Sequence, residues 1–517
     1  MTADFAAAYA SGDPAACALL GGPHGRLFTA PGPVPAPPPE VVSEINEHQA
    51  RLGTAARIPA GARLLVTGQQ PGLFAGPMYT VYKAATTVLL ARELAATTGA
   101  PCAPVFWTAS EDHDFDEVRT AHFLDARRAP FSLSLPAEDP PSDRPLFAVP
   151  ATEALHALID EAAARCAGSE LTPEVAAFLH DTASASDSLA DWFQRIMARL
   201  FGGTPLVHFA PHWPAARAAV RGVIRREIET PLVSTRLVNG AASALERLGY
   251  AAGVRRPETA CNFFLLSGGR RLRVHWQDGR FVLPDAPGGD YEPAALLDLL
   301  EAEPGRFSPN VVLRPVVQQA LFGAAACVCG PGETVYWAQL GGVFDHFDTP
   351  FPVVWPRARA VILGAKERKH LRAFGLPAEA LATGADAVVD RALRDAPPPE
   401  ALAEARRRRD AMLAEAEALR ARLGEGPAAD AAAKLAEAVG QGFGRVERAL
   451  LHGDREKVAA LSARARRLCD VAMPGGRPQE RALSPFTWLF SEGFGFTDAV
   501  LRGLDPHAPG VQEMEIG

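Results

Sequence analysis

"LLVTGQQPGLFAGPMYTVYKAATTVLLARELAATTGAPCAPVFWTASEDHD", running from Leu64 to Asp114, is the stretch that decides the fold. Leu64–Thr67 is a short apolar run closed by a glycine, the pattern of a buried strand. Met78–Ala96 repeats apolar positions at helical spacing, and Pro104–Ala109 is a second apolar run. Strand, helix and strand in that order form a βαβ unit, whose right-handed crossover builds a parallel sheet. The connecting "GQQPGLFAGP" (68–77) is rich in glycine and proline but has neither GK[ST] nor GxGxxG. It is therefore neither a P-loop nor a dinucleotide fingerprint.

Outward from this unit the chain divides by composition. The first 40 residues are rich in Ala, Gly and Pro and end in "APGPVPAPPPE", which reads as an extended, polyproline-like arm. Residues 125–150 carry many prolines and read as an insertion, 153–200 and 214–250 are helical in period, and "TPLVHFAP" (204–211) is another strand. "ACNFFLLSGGRRLRVHWQDGRFVLP" (260–284) alternates strand-like runs with Gly-Gly and Asp-Gly turns, the signature of hairpins. Parallel-sheet character returns over 310–340. From about residue 398 the composition turns to Ala, Glu, Arg and Leu. Leu402, Arg409, Ala416 and Leu423 fall on one heptad position and Ala405, Met412 and Leu419 on the other. "GEGP" (424–427) then interrupts, and Ala432, Leu435, Val439, Gly442, Val446 and Ala449 repeat the spacing. Two such runs around a turn predict an antiparallel helical coiled coil, read here as a dimerisation arm. The expected organisation is an N-terminal arm and helix over 1–60 and a Rossmann-like α/β core over 61–380, with insertions near 125–200 and 255–300. A helical domain over 381–473 and a tail over 474–517 that returns to the core complete it.

Composition bounds the function. With 517 residues the chain exceeds one ordinary core. Its net charge of −8 speaks against a general nucleic-acid binder, because phosphate neutralisation needs a basic surface. No apolar run reaches the roughly 18 residues of a membrane span. "MTADFAAAYASGDP" lacks the basic start of a secretory signal. Seven cysteines include no CxxC, and Cys327 and Cys329 share a strand face, which favours packing over zinc. These features predict a reduced, cytoplasmic protein.

Chemistry concentrates where the second strand ends, in "SEDHDFDE" (110–117), six of whose eight residues are acidic or His. Ligands of open α/β sheets bind at the carboxyl ends of the strands. Glu111, Asp112, His113 and Asp114 call for a neutralising partner, either a metal ion or a cationic, amine-bearing substrate. Placed between carboxylates, His113 is expected to protonate more readily and to act as general acid or base. The plain alternative is a solvated turn that caps the next helix. "CGPGETVYW" (329–337) repeats the layout of strand, Gly-Pro-Gly and helix, and a helix N-terminus suits an anion. "SPNVVLRPVVQ" (308–318) spaces Asn310, Arg314 and Gln318 by four, and the Arg314 fork matches a carboxylate.

Taken together, "TGQQPGLFAGPMYTVYKA", "PVFWTASEDHDFDEV", "SPNVVLRPVVQ", "CGPGETVYWAQL" and the late "PGGRPQER" with Pro485-Phe486 resemble the bacillithiol-biosynthesis cysteine-adding family, in order over roughly 60–350 and the tail. Cys329 stands where the family pattern has glycine. The resemblance implies a Rossmann-like core with insertions and a dimerising helical domain. It also implies a ligase whose partners are cysteine and glucosaminyl-malate, joined as an amide at the glucosamine amine. On that basis Glu111, Asp112 or Asp114 would hold an ammonium and His113 would take its proton. Gln69, Gln70, Tyr79, Lys83 and the helix start at Gly76, walled by Trp107, would hold malate or sugar hydroxyls. Asn310, Arg314, Gly330, Gly332 and Glu333 would hold a second anion. No cofactor is identified: ATP is one candidate donor, but the first helix opens "GPMYTVYK" without the His of a HIGH motif, and "GAKERKH" (364–370) reads as a solvated helix. Two other classes fit parts of the pattern: a metal-dependent hydrolase using residues 111–114, and a non-catalytic assembly protein acting through its helical arm.

Overall fold

The computed structural model describes residues 4–29, 36–137, 143–166, 168–286, 288–395, 400–451 and 455–516. The chain forms two compact units, one of residues 1–362 with 479–517 and one of residues 363–478.

The first unit is built on five parallel strands: β1 (Arg63–Gln69), β2 (Cys102–Thr108), β3 (Val207–Phe209), β4 (Ala326–Cys329) and β5 (Val353–Pro356). Their spatial order is β5-β4-β1-β2-β3, and every neighbouring pair is parallel. Leu64, Leu65, Val66, Val105, Phe106 and Trp107 are all buried, as the continuous apolar runs of a two-sided parallel sheet require. The helix between β1 and β2, α1 (Tyr79–Thr98), is buried over most of its surface, and Thr86 and Thr87 satisfy their hydroxyls on its own carbonyls. The order of strands reverses at β1, so a crevice opens between the carboxyl ends of β1 and β4.

The loop leaving β1 is tightly wound. Phe74, Ala75 and Gly76 all have φ between 51° and 67°. A Cβ on Gly72 would stand 2.8 Å from the Gly76 Cα, which only glycine avoids. The tail clamps this loop: the Ser484 hydroxyl donates to the Phe74 carbonyl at 2.9 Å, and the Met78 amide donates to the Leu483 carbonyl at 2.7 Å. Beside the parallel sheet lies an antiparallel one formed by Arg280–Val282, Arg270–Gln277, Ala260–Ser267 and Phe307–Pro309 in that order. Its Gly268-Gly269 and Asp278-Gly279 turns have positive φ at both positions, as two-residue hairpin turns demand.

One expectation is corrected. The opening segment is not extended throughout: Phe5–Ala10, Pro14–Leu19 and Arg26–Thr29 are helical, anchored by the buried Phe5, Tyr9 and Leu20. Residues 30–35 of the predicted arm lie outside the described residues. The proline-rich segment read as an insertion contains a strand, Pro130–Ser134, that pairs antiparallel with Thr120–Leu124.

In the second unit, α2 (Glu400–Leu423) and α3 (Pro427–Leu451) pack against each other around a turn where Gly424 and Gly426 adopt positive φ. Arg409, the one charged residue in the heptad seam, donates to Glu447 of α3 at 2.6 Å, and Arg406 shares that carboxylate. Leu402, Ala405 and Ala416 are buried, but Met412, Leu419, Leu423, Leu435 and Val446 are exposed. The heptad pattern thus marks more residues than the helix pair covers. Among the described residues, no helix is long and apolar enough to cross a membrane.

Candidate active site

A cavity of about 570 Å³ opens over the carboxyl ends of all five parallel strands. Gly68, Gln69 and Gln70 enter from β1, Trp107, Ala109, Glu111, Asp112 and His113 from β2, Pro211 from β3, Gly330 from β4 and Arg357 from β5. The antiparallel sheet contributes Phe264, Arg271 and Pro309, and the tail contributes Arg481. Gly68 sits in register with Trp107, and any Cβ there would lie 2.7 Å from the Trp107 carbonyl oxygen.

The acidic cluster does not act as one group. Glu111 is buried against the buried Arg217; burial raises its carboxyl above the usual range, and Arg217 and Arg271 oppose that rise. Asp112 faces the cavity, with Oδ1 accepting from the His113 amide at 2.8 Å and Oδ2 from the Gln70 side chain at 2.7 Å. The same Gln70 nitrogen donates to Glu117 at 2.9 Å, so one neutral amide bridges two carboxylates. Asp114 is outside the cavity lining and caps the short helix Phe115–Val118 through the Glu117 amide. Among the described residues, no group of three or more His, Cys, Asp or Glu side chains is arranged to hold a metal ion.

His113 corrects an expectation. Burial and the neighbouring Arg271 lower its pKa below the ordinary value, although Asp112, Asp143 and Asp114 pull the other way. The carboxylates were legible in sequence, but the arginine arrives from a hairpin some 160 residues later.

Lys83 is an anchor. Its ammonium donates to the Gly68 carbonyl at 2.8 Å and to Gln69 Oε1 at 2.9 Å, and it pairs with Glu333 at 2.5 Å. All three N–H bonds are thereby used. Gln69 passes the chain on to the Tyr79 hydroxyl at 3.3 Å. Glu333 also accepts the Gly330 amide at 2.8 Å, which occupies the helix start that sequence offered to a ligand anion. At the other loop Gly76 is outside the cavity lining, and the Met78 amide is taken by Leu483. Gly332 lines the cavity beside Gly330. Asn310 lines it too, but its amide is spent internally, accepting from Val312 and Leu313 and donating to Asn262.

The groups best placed for an anion are Arg314, Tyr336, Arg357 and Arg481. Arg314 donates to Gln318 at 3.1 Å and to the Tyr336 hydroxyl at 2.7 Å. Burial pushes the Tyr336 phenol up, so it keeps its proton. Arg357 is held by Glu480 at 2.9 Å, both fully buried, while its Nε has no hydrogen-bond partner among the described residues. Arg481 is exposed to the cavity and has neither hydrogen bond nor ion pair among the described residues. In all, six cationic side chains face four carboxylates here, in a chain of net charge −8. Sequence reading passed over Glu117, Arg271, Tyr336, Arg357 and Arg481. Glu117, Arg271, Tyr336 and Arg481 lie inside stretches already singled out for other reasons, whereas Arg357 carries no local signal.

Residues 43–358 match the family described as "Bacillithiol biosynthesis BshC, N-terminal Rossmann-like domain". A Salinibacter ruber protein named "Putative cysteine ligase BshC" is 33% identical over 433 residues, 82% of this chain and 78% of its own length. A relative of the same name from Geobacillus thermodenitrificans is 31% identical over 458 residues, covering 86% and 82%. One from Symbiobacterium thermophilum is 34% identical over 337 residues, covering 61% and 60%.

Proposed function

We propose, from the premise that this chain belongs to the BshC family of bacillithiol biosynthesis, that it is a cysteine ligase which forms a carbon–nitrogen bond in the cavity above the parallel sheet. Its substrates on this reading are cysteine and glucosaminyl-malate, joined as an amide at the glucosamine amine. One observation carries the reading beyond family membership: a single cavity presents two carboxylates, Asp112 and Glu117, together with Arg314, Arg357 and Arg481. Glucosaminyl-malate has that complementary charge, an ammonium at one end and two carboxylates at the other. Arg314 with Tyr336, and Arg481, would take the malate carboxylates, since a guanidinium fork matches a carboxylate with two parallel hydrogen bonds. Asp112 and Glu117 would take the amine, displacing the Gln70 amide that bridges them. Trp107 and Phe264 supply apolar wall for the sugar face. Condensing a carboxylate with an amine expels the elements of water, so an activating donor must accept the oxygen.

Binding tests the placement. Calorimetry with glucosaminyl-malate should show an affinity that falls by about 10- to 100-fold in Arg314→Met and Arg481→Met, a loss on the scale of a charge-assisted hydrogen bond. Unchanged affinity in both variants would remove the malate assignment. We further propose that the exposed apolar residues of α2 and α3 receive a second copy of the chain, giving a homodimer.

A further inference from the structure

We propose that His113 serves the coupling reaction as a fixed Nε2–H donor to a substrate oxygen, with Arg271 as the positioning residue that holds this tautomer. The role rests on the coupling reading above; the tautomer itself does not. Arginine has five N–H donors and no acceptor. Arg271 Nη1 lies 3.1 Å from His113 Nδ1, so Nδ1 must offer its lone pair and the ring proton of the neutral imidazole is on Nε2.

The guanidinium cannot easily yield its place. Its Nε donates to the Ser308 hydroxyl at 2.8 Å, Nη2 donates to the Pro309 carbonyl at 2.7 Å, and it stacks 3.9 Å above the Phe264 ring. The same Phe264 ring meets the His113 ring edge-on. A second proton on the imidazole would have to sit on Nδ1, against a cation fixed on three sides. The remaining charged groups that face His113 are Asp112, with Oδ1 3.8 Å from Nδ1, Asp114 and Asp143. They favour the cation, but burial and Arg271 prevail.

With Nδ1 turned to Arg271, the opposite ring edge is the one left to the cavity that His113 lines, and Nε2 has no hydrogen-bond partner among the described residues. A preset N–H donor suits an oxygen that gains negative charge as an amine adds to its carbonyl carbon. Removal of the amine proton then falls to Asp112, Glu117 or solvent, not to the imidazole.

Nitrogen NMR on the full chain with labelled histidine tests the tautomer, the His113 signals being identified by their loss in His113→Gln. The expected spectrum at pH 7 has Nδ1 unprotonated and Nε2 protonated, and Arg271→Lys should mix the tautomers and move the titration towards the ordinary value. An Nδ1–H tautomer or a cationic ring in the wild-type protein overturns the proposal, whether or not Arg271→Lys folds. Turnover supplies the second arm. His113→Gln, which keeps an amide N–H near the Nε2 position, should stay within about tenfold of wild type, while His113→Ala should lose on the order of 10²–10³-fold. Equal losses in both variants overturn the donor role. If the wild-type chain couples nothing, the substrate reading has failed, and the NMR result still decides the tautomer.

Discussion

Gly68 has no room for a side chain, because a Cβ would stand 2.7 Å from the Trp107 carbonyl oxygen across the sheet. Gly68→Ala should therefore pry β1 from β2 and shift the carbonyl that Lys83 grips, at a cost of about 1–3 kcal/mol. An unchanged urea midpoint would contradict this. Glu480 balances the fully buried Arg357 and also receives Arg359. Removing it in Glu480→Ala leaves a buried charge unpaired, which typically costs about 3–5 kcal/mol, and should loosen the arginine that lines the cavity. A smaller loss, below about 1 kcal/mol, would mean that Arg357 finds another partner. At this scale the sequence was legible for identity and poor for role. The run from Glu111 to Asp114 was found because charge is dense there. Its division into a buried ion pair, a cavity carboxylate, a pinned imidazole and a helix cap depends on Arg217 and Arg271, which arrive from distant segments.

Elements were read more reliably than residues wherever periodicity was strong. The unit β1–α1–β2 and the Gly-Gly and Asp-Gly hairpins follow from local rules, since a strand, a buried helix and a two-residue turn each have a short-range signature. The hairpin of Thr120–Leu124 with Pro130–Ser134 escaped, although Phe131-Ser132-Leu133-Ser134 alternates, because each strand is only five residues long and the second runs into a proline-rich stretch. The helical unit shows the limit of heptad reading. The pattern cannot say whether an apolar residue meets its own partner helix or another chain, and Leu435 and Val446 are about half exposed. If a second copy covers them, Met412→Glu with Leu435→Glu should yield a monomer by light scattering with far-ultraviolet dichroism unchanged. A dimer that persists in this variant would place the interface elsewhere.

For the whole molecule, acidity is the informative variable. Burial holds His208 and His212 down at about 3, far below an ordinary imidazole. In the unfolded chain both take up protons near pH 6.5, so between about 6.5 and 3 the unfolded state binds more protons and stability falls as pH falls. Each histidine contributes a slope approaching about 1.4 kcal/mol per pH unit within that window and none above it. Unfolding midpoints should therefore be level from about pH 8 to 7 and drop below about pH 6, with a shallower drop in His208→Phe. A midpoint unchanged down to about pH 4 would contradict the buried neutral state. The charge of the chain points the same way as its architecture: a net negative protein gathers six cationic side chains around one cavity over the sheet. The reading of that cavity as the place where cysteine meets glucosaminyl-malate is tested most directly by turnover. Purified chain is mixed with cysteine, glucosaminyl-malate and each candidate activating donor in turn, and the product mass is followed. The expected product is the cysteinyl amide of glucosaminyl-malate with at least one donor, formed about tenfold or more slowly by Arg314→Met. Amide formed at an undiminished rate by Arg314→Met would contradict that reading.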